Sequence, residues 1–177
     1  EALKAGKNYL KHLGPEFVKE MATSERFEPT SNMGRLGEAD AVISAVPTPL
    51  GPHLEPDMSY VMQTTHDIAK TLRKGQLVVL ESTTYPRTTR DDMLPVLEKT
   101  GLKCGTDFFL AFSPEREDPG RKDFDTQTIP KLVGGIDAES GQIAYDLYKH
   151  AIKSVVKVSS AEIAESAKLL ENIFRAI

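Results

Sequence analysis

Four short segments hold residue types from which a reaction centre can be built. Ser113-Pro-Glu-Arg-Glu-Asp-Pro-Gly120 sets Arg116 among carboxylates. Such an Arg can position a charged substrate while one carboxylate takes a proton, or the group is a solvated ion-pair cluster of little energetic weight. Lys168 and Asn172 stand four residues apart, which puts them on one face of a helix, either as donors to a ligand or simply solvated. Glu81-Ser-Thr-Thr-Tyr-Pro86 clusters the hydroxyls of Ser82, Thr83 and Thr84. Hydroxyls there can bind a phosphate, a ribose or a reacting water, or cap the helix that follows. Val46-Pro-Thr-Pro-Leu50 contains two prolines, which fix the backbone and remove two N–H donors. The result is a rigid turn that holds Thr48 at a sheet edge, with or without a ligand.

Each of these segments follows, or lies on, an element that periodicity predicts. Ala39–Val46, Gln76–Leu80, Asp107–Phe112, Lys131–Gly134 and Ser154–Val158 read as strands. Helices are expected over 57–73, with Asp57 as cap and Gly75 as stop, over Thr88–Thr100 and over Ala138–His150. Strand alternating with helix at this spacing points to crossover units and an α/β fold, a parallel sheet with helices on both faces. In such a sheet the loops at the carboxyl ends of the strands form the ligand crevice, which makes residues 113–130 a candidate site. A last helix, capped by Ser159 or Ser160, is expected to continue to Ile177. Ile163, Ala167, Leu170, Phe174 and Ile177 make one apolar stripe along it. Without a Gly or Pro stop this helix reads as truncated.

The composition narrows the class of partner. Twenty-two Lys and Arg against twenty-six Asp and Glu give a net charge of −4, with neither sign in a long run. A nucleic-acid or anionic-membrane surface is not expected of such a chain. No apolar run approaches the roughly 20 residues that cross a bilayer. The single cysteine, Cys104, rules out an internal disulfide framework, fits a reducing compartment and reads as a packing residue. The four histidines show no ligand spacing, so no metal site is expected.

Taken in order, the segments Ala39-Asp-Ala-Val-Ile-Ser-Ala-Val-Pro-Thr-Pro-Leu50, Glu55-Pro-Asp-Met-Ser-Tyr60, Glu81–Pro86, Ser113–Gly120 and Ala167-Lys-Leu-Leu-Glu-Asn-Ile-Phe-Arg175 resemble the UDP-glucose/GDP-mannose dehydrogenase family. These are nucleotide-sugar 6-dehydrogenases. The Ser-Thr-Thr-Tyr-Pro and Ser-Pro-Glu-Arg-Glu-Asp-Pro-Gly forms look most like the branch that oxidises UDP-N-acetylhexosamines, UDP-N-acetylglucosamine above all, with UDP-glucose as the alternative. The resemblance implies a Rossmann-like NAD-binding domain over residues 1–158 and the start of a central dimerisation helix over 159–177. It implies oxidation of the sugar C6 alcohol to a carboxylate in two NAD-dependent hydride transfers, through a thioester on a cysteine that water then hydrolyses. On the same resemblance Val46, Pro47 and Thr48 line the NAD crevice and Ser82 stands beside the cofactor. Thr83 and Glu115 hold and activate the hydrolytic water, with Glu115 as general base. Lys168 stabilises the developing alkoxide and oxyanion with Asn172 donating beside it, and Arg116 lies next to the nucleotide sugar. A cytoplasmic homodimer supplying surface-polysaccharide precursors is implied as well.

Four departures qualify the resemblance. Arg87 stands where the family usually has Gly, and Pro119 stands where some branches carry a second acidic residue. No Gly-x-Gly-x-x-Gly occurs, and Cys104 is in the wrong segment to be the nucleophile. The chain therefore reads as an internal piece of a dehydrogenase, inactive alone. The competing readings are a binding or assembly module without catalysis and a different dehydrogenase, acting on a hydroxyacid or an acyl-CoA.

Overall fold

The computed structural model describes residues 3, 5, 15–51, 55–115 and 130–176. Residues 1–33 and 34–177 form two units. The first contains helix α1 (Pro15–Thr23), whose Val18 is buried.

The second unit is built on a five-stranded sheet in the order β1 (Ala41–Ser44), β2 (Leu77–Leu80), β3 (Phe109–Phe112), β4 (Lys131–Gly135), β5 (Val155–Lys157). All four side chains of β2 are buried because helices cover both faces of the sheet, the arrangement its continuous apolar run predicts. Leu77 and Val79 pack with Ala111, Val133, Ala144 and Tyr148 on the side of α4 (Ala138–Lys149). Val78 and Leu80 pack on the opposite side with Leu110 and Phe112, against Val61 and Ile68 of α2 (Ser59–Ala69) and Met93 and Leu97 beyond it. The expected α/β architecture, Rossmann-like with helices on both faces, is thus present.

One strand departs from the parallel arrangement. β1, β2 and β3 are parallel, but β4 runs antiparallel to β3, pairing Phe112 with Gly134, and β5 is parallel to β4. A parallel neighbour needs a crossover, usually a helix, to carry the chain back to the other end of the sheet. The sequence between Phe112 and Lys131 has no helical apolar period that would supply one. β4 therefore begins at the edge where β1, β2 and β3 end.

The helices also differ from their predicted limits. Asp57 sits one residue before the N-cap position, where its Oδ1 accepts the Ser59 N–H at 2.9 Å, and α2 ends at Ala69, well before Gly75. The segment expected as one helix from Thr88 starts as a π-helical stretch (Thr88–Met93) and becomes α-helical only at α3 (Leu94–Glu98). Pro95 has no N–H for the carbonyl four residues back, and its ring crowds that carbonyl, which accounts for the change of winding. Arg87, just before this stretch, has φ 80° and ψ 0°. The position is one that suits glycine, and the Arg87 side chain answers with bonds of 2.6 and 2.9 Å to Asp91.

The final helix, α5 (Ala161–Ala176), packs on β3, β4 and the π-helical stretch. Ser160 caps it, its Oγ accepting the Ile163 N–H at 3.4 Å. The apolar stripe does not face the sheet. Ala161, Ala164, Glu165 and Lys168 are buried, whereas Ile163, Leu170 and Phe174 are 47%, 68% and 77% exposed. Among the described residues no helix is long and apolar enough to cross a membrane.

Two glycines of β4 make these contacts possible. A Cβ on Gly134 would lie 2.1 Å from the Ser160 carbonyl oxygen, and one on Gly135 would lie 2.1 Å from the Gly141 nitrogen of α4. Both obstacles are backbone and cannot rotate away. Gly134→Ala is expected to destabilise the fold by about 3 kcal/mol, as overpacking of a rigid contact does. A urea midpoint equal to that of the wild type would contradict the close approach.

The start of α5 is also held electrostatically. Arg90 donates to Glu162 and, at 2.8 Å, to the Ile136 carbonyl. Burial pushes the Glu162 carboxyl up, but the bonds from Arg90, Ser160 and its own amide, with the Arg90 charge, bring it down to about 2. A depressed carboxyl stabilises the fold above its unfolded value, near 4.5, and that stability is lost as pH falls toward 2. Glu162→Gln should therefore melt below the wild type at pH 7, with the gap closing between pH 4.5 and pH 2. A gap that persists at pH 2 would exclude the ion pair as its cause.

Candidate functional site

The carboxyl ends of β1, β2 and β3 and the first residues of β4 share one edge of the sheet. The ladder runs one residue past the strands, with the Glu81 N–H on the Ser44 carbonyl at 2.8 Å and the Ser113 N–H on the Leu80 carbonyl at 3.0 Å. The turns that follow, 46–50, 82–87 and 113–115, are therefore set side by side.

Ser82 joins the first two. Its buried hydroxyl accepts the Val46 N–H at 2.9 Å and donates to the Val46 carbonyl at 2.7 Å. The hydroxyl expected beside a ligand is thus engaged in holding the Val46–Pro47–Thr48 turn. Val46 and Thr48 are half-buried and Pro47 is exposed. Two further hydroxyls at this edge, Ser44 Oγ and Thr84 Oγ1, are buried without a hydrogen-bond partner. A buried hydroxyl left unpaired costs about 1–3 kcal/mol, so a polar group arriving here would be stabilised. Thr84 was visible within its cluster, whereas Ser44 was hidden inside an apolar strand run.

Glu115 and Lys168 come together although 53 residues separate them. The Lys168 ammonium donates to the Glu115 main-chain carbonyl. Lys168 is 8% exposed, so of the two readings open to it the solvated one does not hold. Ala161 and Ala164, seven and four residues earlier, are the small side chains that let this face of α5 lie on the sheet. Asn172, one turn further, is half-buried, and Thr83 and Glu115 are exposed. Ser113 Oγ donates to the Leu132 carbonyl at 2.8 Å and closes the neck of the loop that follows. Arg116 lies outside the described residues.

A second polar group behind this edge was not foreseen. Lys131 Nζ lies 2.9 Å from Glu81 Oε1, the Tyr148 hydroxyl donates to the same oxygen, and the ammonium stands 5.0 Å from the centre of the Tyr148 ring. Burial, then the Glu81 charge, holds the Tyr148 phenol far above its ordinary range. The three residues come from β4, the end of β2 and α4, and no local spacing announces them. Cys104 is half-buried, its Sγ 3.7 Å from Asp137 Oδ2 and 3.8 Å from Ser140 Oγ. Burial is the main cause that pushes its thiol up to about 11, which leaves little thiolate and fits the packing role expected for it.

The chain is similar in sequence and in fold to known proteins. Over 148 residues, 82% of this chain and 35% of the relative, the sequence is 39% identical to the UDP-N-acetyl-D-glucosamine 6-dehydrogenase of Pseudomonas aeruginosa. Over 159 residues, 89% of this chain and 38% of the relative, it is 34% identical to the UDP-N-acetyl-D-mannosamine dehydrogenase of Pyrococcus horikoshii. The structure resembles the crystal structure of NDP-N-acetyl-D-galactosaminuronic acid dehydrogenase from Methanosarcina mazei Go1 with a TM-score of 0.88 and 37% identity, covering 98% of this chain and 38% of that one. The chain thus spans well under half the length of these relatives. Residues 1–152 match the model of the UDP-glucose/GDP-mannose dehydrogenase family, NAD binding domain. With that match over most of its length, the chain belongs to the UDP-glucose/GDP-mannose dehydrogenase family.

Proposed function

We propose that the protein to which this chain belongs oxidises the C6 alcohol of a UDP-sugar, UDP-N-acetylglucosamine first among them, to the carboxylate, as a precursor of surface polysaccharide. The observation that carries the reading is the contact of Lys168 with Glu115, which sets the proposed electrostatic stabiliser beside the segment of the proposed base. NAD, when bound, supplies the hydride acceptor. The residues at the carboxyl ends of β1 and β2 fit such a group: the Val46–Pro47–Thr48 turn is held rigid by Ser82, and the orphaned hydroxyls of Ser44 and Thr84 offer it polar partners.

In this reading the reacting oxygen lies near Lys168, where low exposure weakens solvent screening and strengthens the pull of the ammonium on developing negative charge. Asn172, on the same side of α5 one turn on, donates beside it. Glu115 is exposed at the rim, where its carboxylate can take the proton of an attacking water oriented by Thr83. Arg116 is assigned to the nucleotide sugar. The division into a cofactor-binding part, 1–158, and the start of a central helix, 159–177, belongs to the same proposal, as does a cytoplasmic location.

With full-length protein, absorbance should record two NADH per UDP-N-acetylglucosamine, at a kcat/KM above that for UDP-N-acetylmannosamine and UDP-glucose. One NADH per sugar, or none with any UDP-sugar, would refute the reading. Glu115→Gln is expected to lower kcat by about 100-fold or more, the range of a lost general base. Lys168→Ala should lower it by a factor on the order of 100–1,000.

The outward stripe of α5 supports pairing with a second copy. Leu170, Ile173 and Phe174 are 68%, 51% and 77% exposed and adjoin Leu169, an apolar surface that a monomer seldom leaves uncovered. The double variant Leu170→Asp, Phe174→Asp in the full-length protein should halve the mass measured by sedimentation equilibrium. An unchanged mass would remove α5 from the interface.

A further inference from the structure

We infer that Glu165 is a positioning residue that fixes the Thr83 turn relative to Lys168, an inference that rests on the dehydrogenase reading above. Glu165 is a carboxylate with no exposed surface, and its oxygens are taken up by two backbone amides and one hydroxyl of another element. Oε2 accepts the Arg87 N–H at 2.5 Å, and Oε1 accepts the Thr89 N–H at 2.9 Å and the Thr89 hydroxyl at 2.6 Å. These are the donors at the amino end of the π-helical stretch, where a helix leaves N–H groups without internal partners. Met93 and Leu97 pack this stretch and α3 into the core, yet the N-cap position itself, Arg87, has no side-chain cap of its own. α5 supplies the cap from outside.

The consequence lies in what stands on either side. The turn from Ser82 to Arg87 is pinned at its first residue by the Ser82–Val46 bonds and at its last by Glu165, and Thr83 sits between. Three residues beyond Glu165 on the same helix is Lys168, which holds the Glu115 carbonyl. One turn of α5 thereby ties the segment of the water-orienting Thr83 to the segment of the base Glu115. Glu165 itself is buried among backbone groups and does not act on the substrate. A carboxylate suits the task better than an amide because all three bonds come from donors. A Gln whose oxygen keeps the two Thr89 bonds must turn its NH₂ toward the Arg87 N–H.

The test uses the full-length enzyme with UDP-N-acetylglucosamine and NAD. Because water enters only after both hydrides have left, Glu165→Gln should retain the burst of NADH from the first turnover at the wild-type rate. Steady-state kcat should fall about tenfold or more, the effect expected of a small misplacement, with both KM values within about twofold. Thr89→Val, which removes a single hydroxyl at nearly constant shape, should show a smaller loss of the same kind, and Thr89→Ser should restore it. The Thr89 pair carries the test should Glu165→Gln fail to fold. Burst and steady state falling together, a rise in KM alone, or wild-type kinetics in Glu165→Gln and Thr89→Val would each overturn the role of Glu165. A wild-type enzyme producing no NADH from any UDP-sugar would instead overturn the dehydrogenase reading, and this inference with it, before any variant is compared.

Discussion

The approach of α5 to the sheet is the constraint on which the candidate site depends. It is a contact of backbone with backbone, made where β4 has no side chain at Gly134 and α5 begins with Ser160 and Ala161. Only at that separation does Lys168 reach the Glu115 carbonyl and Glu165 reach the amides of Arg87 and Thr89. Gly135 repeats the device on the other face, against Gly141 of α4. Two adjacent residues of one strand thus set the distance of both helical layers, and a strand residue with any side chain would hold one of them off.

A helix docked this way does not depend mainly on apolar burial for its place. Its sheet-facing side is small and polar, alanines alternating with Glu165 and Lys168, while its larger apolar groups point outward. Burying charge is unfavourable unless each charge finds partners. Glu165 finds three donors, Lys168 a carbonyl, and Arg90 bridges Glu162 and the end of β4. Directional bonds of this kind fix orientation more sharply than hydrophobic contact does. The same arrangement makes Glu165 awkward energetically: burial, the largest effect, raises its carboxyl above the ordinary value despite the three bonds.

What was legible in the sequence followed from short-range periodicity. The run Gln76–Leu80 announced a strand covered on both faces, and Ala138–His150 announced a helix, which ends at Lys149 and is started by Asp137, whose Oδ1 accepts the Ser140 N–H at 2.8 Å. The turns at 46–50, 82–87 and 113–115 were recognisable as strand ends because each joins an apolar run to proline or hydroxyl residues. What was not legible lies between distant segments. The apolar stripe of α5 invited the opposite orientation, since nothing local says that two alanines, and not Leu170 and Phe174, meet the sheet. Lys131 gave no hint that it would pair with Glu81 and stand over the Tyr148 ring. Arg87 holds a left-handed backbone of the kind that suits glycine, and the support it receives from Glu165 comes from a helix 78 residues further on.

The reversal of β4 has a consequence for how such a site can change. Because β4 starts at the edge where β3 ends, the connection between Glu115 and Pro130 leaves and rejoins the sheet at neighbouring points, with Ser113 bonded to Leu132 across its neck. The entropy lost in closing a loop grows only with the logarithm of its length, about 0.6 kcal/mol for each doubling. The register of β3 and β4 is held by the Phe112–Gly134 pair and the Ser113–Leu132 bond, and by closure entropy alone a longer connection costs little. A crossover helix in the same place would have tied its length to the span of the sheet. The antiparallel strand leaves the residues that follow the proposed base open to variation in number as well as in kind.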